Sequence, residues 1–136
     1  MDQLATLYRA AQFYAHAAHN FSKGATFFQD HEFLGELYGT YEEAYDSIIE
    51  RMIGNGEPFS IQQILTNAAA EANRYADPST FSQQTSFQVL LGLEQRIRAS
   101  IDIQIGAQTQ GTQNLLAQLA DDSEMRNYKI AQRLKA

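Results

Sequence analysis

Cysteine and tryptophan are both absent from the 136 residues. Without thiols the chain forms no disulfide, no thiolate metal site and no cysteine nucleophile, so oxygen and nitrogen are the only donors left for a metal. Positive charge is also scarce. Ten Lys and Arg stand against sixteen Asp and Glu, a formal charge of −6 with a pI near 4.9, and such a surface repels phosphate backbones. Nucleic acid is therefore a poor partner. Long apolar runs are missing as well: in the opening MDQLATLYRAAQFYAHAA the apolar residues are broken by Arg9, Gln12 and His16, and no basic leader precedes them. We expect neither a signal peptide nor a membrane span, and a soluble, cytoplasmic protein. The length fits one domain over residues 1–136, enough to bury roughly two-thirds of the unfolded surface.

What the chain has is helical periodicity. Leu4, Leu7, Tyr8, Ala11, Tyr14, Ala15 and Ala18 recur at steps of three and four, the stripe of an amphipathic helix over about residues 2–21. Gly24 and its polar neighbours interrupt it, with Lys23-Gly24 reading as a turn in which glycine takes the left-handed conformation. A longer stripe, Leu34, Leu37, Tyr41, Ala44 or Tyr45, Ile48 and Met52, runs to Ile53 and stops at Gly54-Asn55-Gly56 and Pro58. Ser60 reads as the N-cap of a short helical piece, IQQILTNAAAEA, and a loop through Asp77-Pro78 leads to a third long helix from about residue 80. Its stripe is Phe87, Leu90, Leu91, Ile97, Ile101 and Ile105. Ile97, Ile101, Ile103 and Ile105 also alternate partly as a strand would, but nothing else in the chain offers a sheet partner. Gly111 separates this helix from a fourth, whose stripe of Leu115, Leu116, Leu119, Ile130 and Leu134 is weaker.

Four long helices make an all-α bundle, and loop lengths choose its topology. The first and third connections are short, so each joins an antiparallel pair, whereas the second spans more than twenty residues. The second helix is close to ~40 Å long, and a crossover carrying its own short helix can return over that distance.

One constellation could carry chemistry. Asp46 and Glu50 are four apart on the second helix and share a face, where like charges repel unless a cation or base lies between them. On an exposed face such a pair is ordinarily just solvated. His31 lies fifteen residues before Asp46, within about 60° of the same face but roughly 22 Å away along the axis, so one chain cannot bring them to one ion. If they share a metal, the acids come from a second copy of the helix running antiparallel across a twofold axis. His19, near the end of the first helix, folds back beside the start of the second and can join His31. Two imidazoles from one subunit and two carboxylates from its mate form a mixed set suited to Fe2+, Zn2+ or Mn2+.

The run His19-Asn20-Phe21-Ser22-Lys23-Gly24, then Phe27-Phe28, His31-Glu32, Glu36-Leu37-Tyr38, Asp46 and Glu50-Arg51 resembles the miniferritins, the DNA-protection-during-starvation (Dps) family. The likeness is concentrated in residues 13–53. It implies a ferritin-like four-helix bundle with one long crossover, and a hollow homo-oligomer, a dodecamer, that stores ferric mineral. It also implies a ferroxidase site shared across a twofold interface, where iron is oxidised preferentially with hydrogen peroxide. Carried over by residue, His19 and His31 are ligands from one subunit, Asp46 and Glu50 from the other. The sequence departs from the family at several points. Gly35 stands where the family usually has an acid four residues after the second histidine, and Glu36 sits about 140° round the helix from His31. Asn20 replaces the common tryptophan after the first histidine. Gln110, Gln113 and Asn114 stand where family members often have acids lining an entry pore. The basic N-terminal tail with which some members bind DNA has no counterpart, which again counts against DNA binding.

His16, three residues before His19, reads as a surface or hydrogen-bonded histidine and stays outside the ligand set. Tyr38, Tyr41 and Tyr45 read chiefly as packing, Glu42 and Glu43 as a solvated face, and Asp121-Asp122 as surface charge. Arg96 and Arg98 are too sparse for a phosphate track. Two rival readings follow: a cage of the same fold with a degenerate metal site, and a plain four-helix adaptor that would be monomeric or a simple dimer.

Overall fold

Every residue of the first apolar stripe, from Leu4 to Ala18, is buried in the computed structural model, which describes residues 1–135. Together they form one face of α1, Asp2–Asn20. The second stripe does the same for α2, Phe27–Gly54, where Leu34, Leu37, Tyr41, Ala44, Tyr45, Ile48 and Met52 are all buried. Between the two, Gly24 adopts φ 91°, a left-handed conformation open chiefly to glycine, and Gln83 donates a hydrogen bond to the Lys23 carbonyl across the turn. At the far end of α2, Gly56 is left-handed at φ 67°. The Glu57 amide there bonds to the Met52 carbonyl and the Gly56 amide to that of Ile53, the paired bonds of a Schellman stop.

The crossover carries α3, Ile61–Asn73, started by Ser60, whose hydroxyl accepts from the Gln63 amide. This helix packs on α1 through Ile64, Ala68 and Ala72, and an ion pair from Glu71 to Arg96 ties it to the third long helix. That helix is α4, Gln83–Gln104, capped by Ser82; a short 3-10 turn at Ile105–Ala107 ends it. The strand-like isoleucine alternation is thus helix and turn, and no strand occurs among the described residues. Its apolar stripe is corrected in two places: Leu93 and Glu94 are buried, while Leu91 and Ile105 are only half-buried.

The last helix, α5, Gln110–Leu134, begins at Thr109, whose hydroxyl accepts from the Thr112 amide. Gly111 therefore lies inside its first turn, and the break between helices falls earlier, at residues 105–109. Gln83 meets Lys23, Asp30 meets Arg133 and Asn55 meets Thr112. These contacts set α4 parallel to α2 and α5 antiparallel to it, so the crossover returns the length of the bundle. The expected all-α, ferritin-like bundle with one long crossover is the observed fold.

Its centre is polar. Glu94 is fully buried and accepts from Tyr41 (2.6 Å), Ser123 (2.7 Å) and both Nε and Nη2 of Arg126 (2.6 and 3.2 Å). The Arg126 guanidinium also lies 5.1 Å from the centre of the Tyr41 ring and 5.9 Å from that of Tyr8. Burial and the neighbouring Glu94 carboxylate push the Tyr41 phenol far above its ordinary range. Burial works against the charge on Arg126, but Glu94 outweighs it and holds the guanidinium protonated. Side chains from all four long helices, Tyr8 of α1, Tyr41 of α2, Glu94 of α4 and Ser123 and Arg126 of α5, meet here.

Candidate metal centre

His19 and His31 stand on the last turn of α1 and the first turns of α2, and the short loop folds them face to face. Their rings stack with centroids 3.7 Å apart and planes 21° from parallel. Each ring is bonded to the other residue's main chain: His19 Nδ1 lies 2.6 Å from the His31 carbonyl oxygen, and His31 Nδ1 lies 3.0 Å from that of His19. A carbonyl only accepts, so each Nδ1 carries the hydrogen and donates it. In the neutral ring this leaves the lone pair on Nε2. It is the arrangement by which a carbonyl orients a metal-binding imidazole.

The pair belongs to a longer row of rings. Phe27 stacks on His31 at 4.9 Å, and the Tyr38 ring meets His19 nearly edge-on at 5.4 Å. His16 lies flat against Tyr38 at 4.1 Å. All three histidines of the chain therefore sit at one place, with His16 exposed on its outer side. Its i, i+3 spacing from His19 was the available signal.

Gly35 occupies the next turn of α2 after His31. A Cβ there would stand 3.2 Å from Cε1 and 3.3 Å from Nδ1 of His19, tighter than ordinary contact. The bare backbone is the floor on which the His19 ring rests. Next to His31 on its other side, Asp30 is buried, and burial raises its pKa. Hydrogen bonds from Arg133 Nε (2.8 Å) and Nη2 (2.9 Å) and from Thr26 (2.8 Å) outweigh that and hold the carboxyl below its usual range. This clasp fixes the first turn of α2 to the last turn of α5.

Asp46 and Glu50 are exposed near the other end of α2, remote from the histidines of the same chain. Glu50 borders a cleft of about 480 Å³ together with Ser47, Arg51, Asn55 and Leu115. Among the described residues, no three His, Asp or Glu side chains of one chain form a group able to hold a metal ion. The structure thus brings His19 and His31 together and keeps Asp46 and Glu50 apart from them, as the axial distance required. Glu32 and Glu36 face solvent.

A long-crossover helical bundle with a carbonyl-oriented histidine pair at the head of its second helix describes a ferritin-like protein. The sequence matches the Ferritin family, described as a ferritin-like domain, over residues 1–136, and the chain belongs to that family. Within it, the chain is similar to the DNA protection during starvation proteins of Listeria innocua serovar 6a and Listeria monocytogenes serovar 1/2a, with 36% identity to each over 70 residues. The matched stretch is 50% of this chain and 45% of each relative, so the chain spans about half the length of the curated relatives it matches. No solved structure gives a significant match. No helix among the described residues is long and apolar enough to cross a membrane.

Proposed function

We propose that copies of this chain pair across a twofold axis, so that His19 and His31 of one copy face Asp46 and Glu50 of the other, and that this shared site binds and oxidises Fe2+. The observation that carries the reading is the reciprocal Nδ1-to-carbonyl bonding of the two histidines, which leaves both Nε2 lone pairs free. The two acids, four apart and exposed, supply the anionic half.

Iron is the substrate here. Two ferrous ions give one electron each to one hydrogen peroxide, which takes up two protons and leaves as two waters, so no hydroxyl radical is released. The ferric product is held inside a hollow homo-oligomer, a dodecamer by likeness to the miniferritins, working in the cytoplasm. Zn2+ and Mn2+ suit the same donors and would compete. The acidic chain makes DNA an unfavourable partner.

Anaerobic Fe2+ titration of the metal-free protein, followed by peroxide, tests the proposal. Fast ferric absorbance that His31→Ala removes supports it; oxidation no faster than in buffer rejects it. Gly35 favours one second reading, a cage of the same fold whose metal site has lost its chemistry along with an acidic side chain, and that reading predicts the second result.

A further inference from the structure

We propose that Gly35 makes the shared site selective for divalent over trivalent cations, so that the site retains Fe2+ and does not retain the ferric ion. This rests on the reading of His19, His31, Asp46 and Glu50 as one site. A Cβ at position 35 points at the His19 ring, 3.2 Å from Cε1, so any side chain there would enter the space beside the ligands. Glycine leaves that space to the imidazole, and the half-site contributed by this end of the chain carries no negative charge. Both rings are neutral when their Nε2 atoms bind a metal, because each Nδ1 keeps its hydrogen for a carbonyl.

Charge therefore comes from Asp46 and Glu50 alone, two units for the whole set. A divalent ion is neutralised by them. A trivalent ion is left with one uncompensated positive charge between two protein surfaces, where desolvation makes such a charge costly. Glu32 and Glu36 flank the pair in sequence but lie about 100° and 140° round α2 from His31. On this account the missing acid is no defect of the centre. It sets which oxidation state stays bound and clears the site after each turnover.

Redox-inert probes read this without any turnover. Assembled protein is dialysed against Co2+, or against Ga3+ held soluble as citrate, and bound metal is counted with wild type, Gly35→Asp, Gly35→Ala and His31→Ala. Wild type is expected to hold Co2+ in a His31-dependent manner and to lose Ga3+. Gly35→Asp, adding one negative charge at the site, is expected to raise Ga3+ affinity about tenfold or more. Gly35→Ala crowds His19 without adding charge, and should leave the ratio of Co2+ to Ga3+ affinity unchanged. Wild type holding Ga3+ as firmly as Co2+ would overturn the inference and leave the shared site standing. So would equal Ga3+ retention by the Ala and Asp variants. Binding of neither ion by wild type, or Co2+ binding unchanged in His31→Ala, would remove the site itself and the inference with it.

Discussion

The bundle holds two polar clusters of opposite character. At its centre, Glu94 accepts four hydrogen bonds from Tyr41, Ser123 and Arg126 in a place closed to water. At one end, His19 and His31 spend half of their hydrogen-bonding capacity on each other's main chain and keep the rest. Around Glu94 the first cluster closes within one chain: the acid is matched by its base, and both carboxylate oxygens are taken up by donors of the same chain. The second is incomplete by construction. Polar groups that bind something from outside are those the fold orients but leaves unpaired.

The contrast can be broken most severely at the centre. Arg126→Met leaves the Glu94 carboxylate buried without its cation, and urea unfolding should register a loss of about 3–5 kcal/mol. The double variant Glu94→Leu/Arg126→Met removes both charges and should recover most of that loss, or exceed wild type. Equal loss in the single and double variants would mean that packing, rather than charge pairing, governs this spot.

At the open cluster, Asp46→Ala should leave unfolding almost unchanged while abolishing rapid iron oxidation. Co-assembly sharpens this. Mixed assemblies of His31→Ala and Asp46→Ala subunits regenerate one intact site at each interface between unlike copies, so about a quarter of wild-type oxidation should return when pairing is random. Two inactive variants that stay inactive when mixed would place all four residues outside a shared site.

A smaller effect lies between the two regions. Because Asp30 titrates below its unfolded value of about 3.9, its stabilising contribution is complete above that pH and is lost as pH falls through the lower folded value. Asp30→Asn should therefore cost stability at pH 7 and much less at pH 2–3. A cost that is the same at both ends of that range would show that the carboxylate charge is not what holds the clasp. The least expected effect is at the helix starts: Ser82→Ala and Thr109→Ala each remove one cap and should cost about 1 kcal/mol.

The sequence displayed these regions unequally. The stripes of α1 and α2 were legible because their buried positions are almost all apolar, and loop lengths alone chose the topology. The stripe on α5 looked weak for a physical reason: its buried face, Thr112, Leu116, Leu119, Ser123, Arg126 and Ile130, holds three polar residues at regular steps of three and four. Glu94 hides in the same way between Leu90 and Ile97 on α4. A charge in heptad register with the apolar positions is the signal that marks Glu94 and Arg126. For the histidines, spacing placed His31 within reach of His19, but the exchange of hydrogen bonds depends on how residues 21–26 fold, which periodicity does not encode.

Arg133 lies 103 residues downstream of Asp30, yet it holds the turn of α2 from which His31 projects. On the ribosome, a nascent chain therefore carries its paired histidines long before the anchor that steadies them has been made. Only docking of the last turn of α5 completes the support, so the histidine end of the bundle is steadied by the helix most distant from it in sequence.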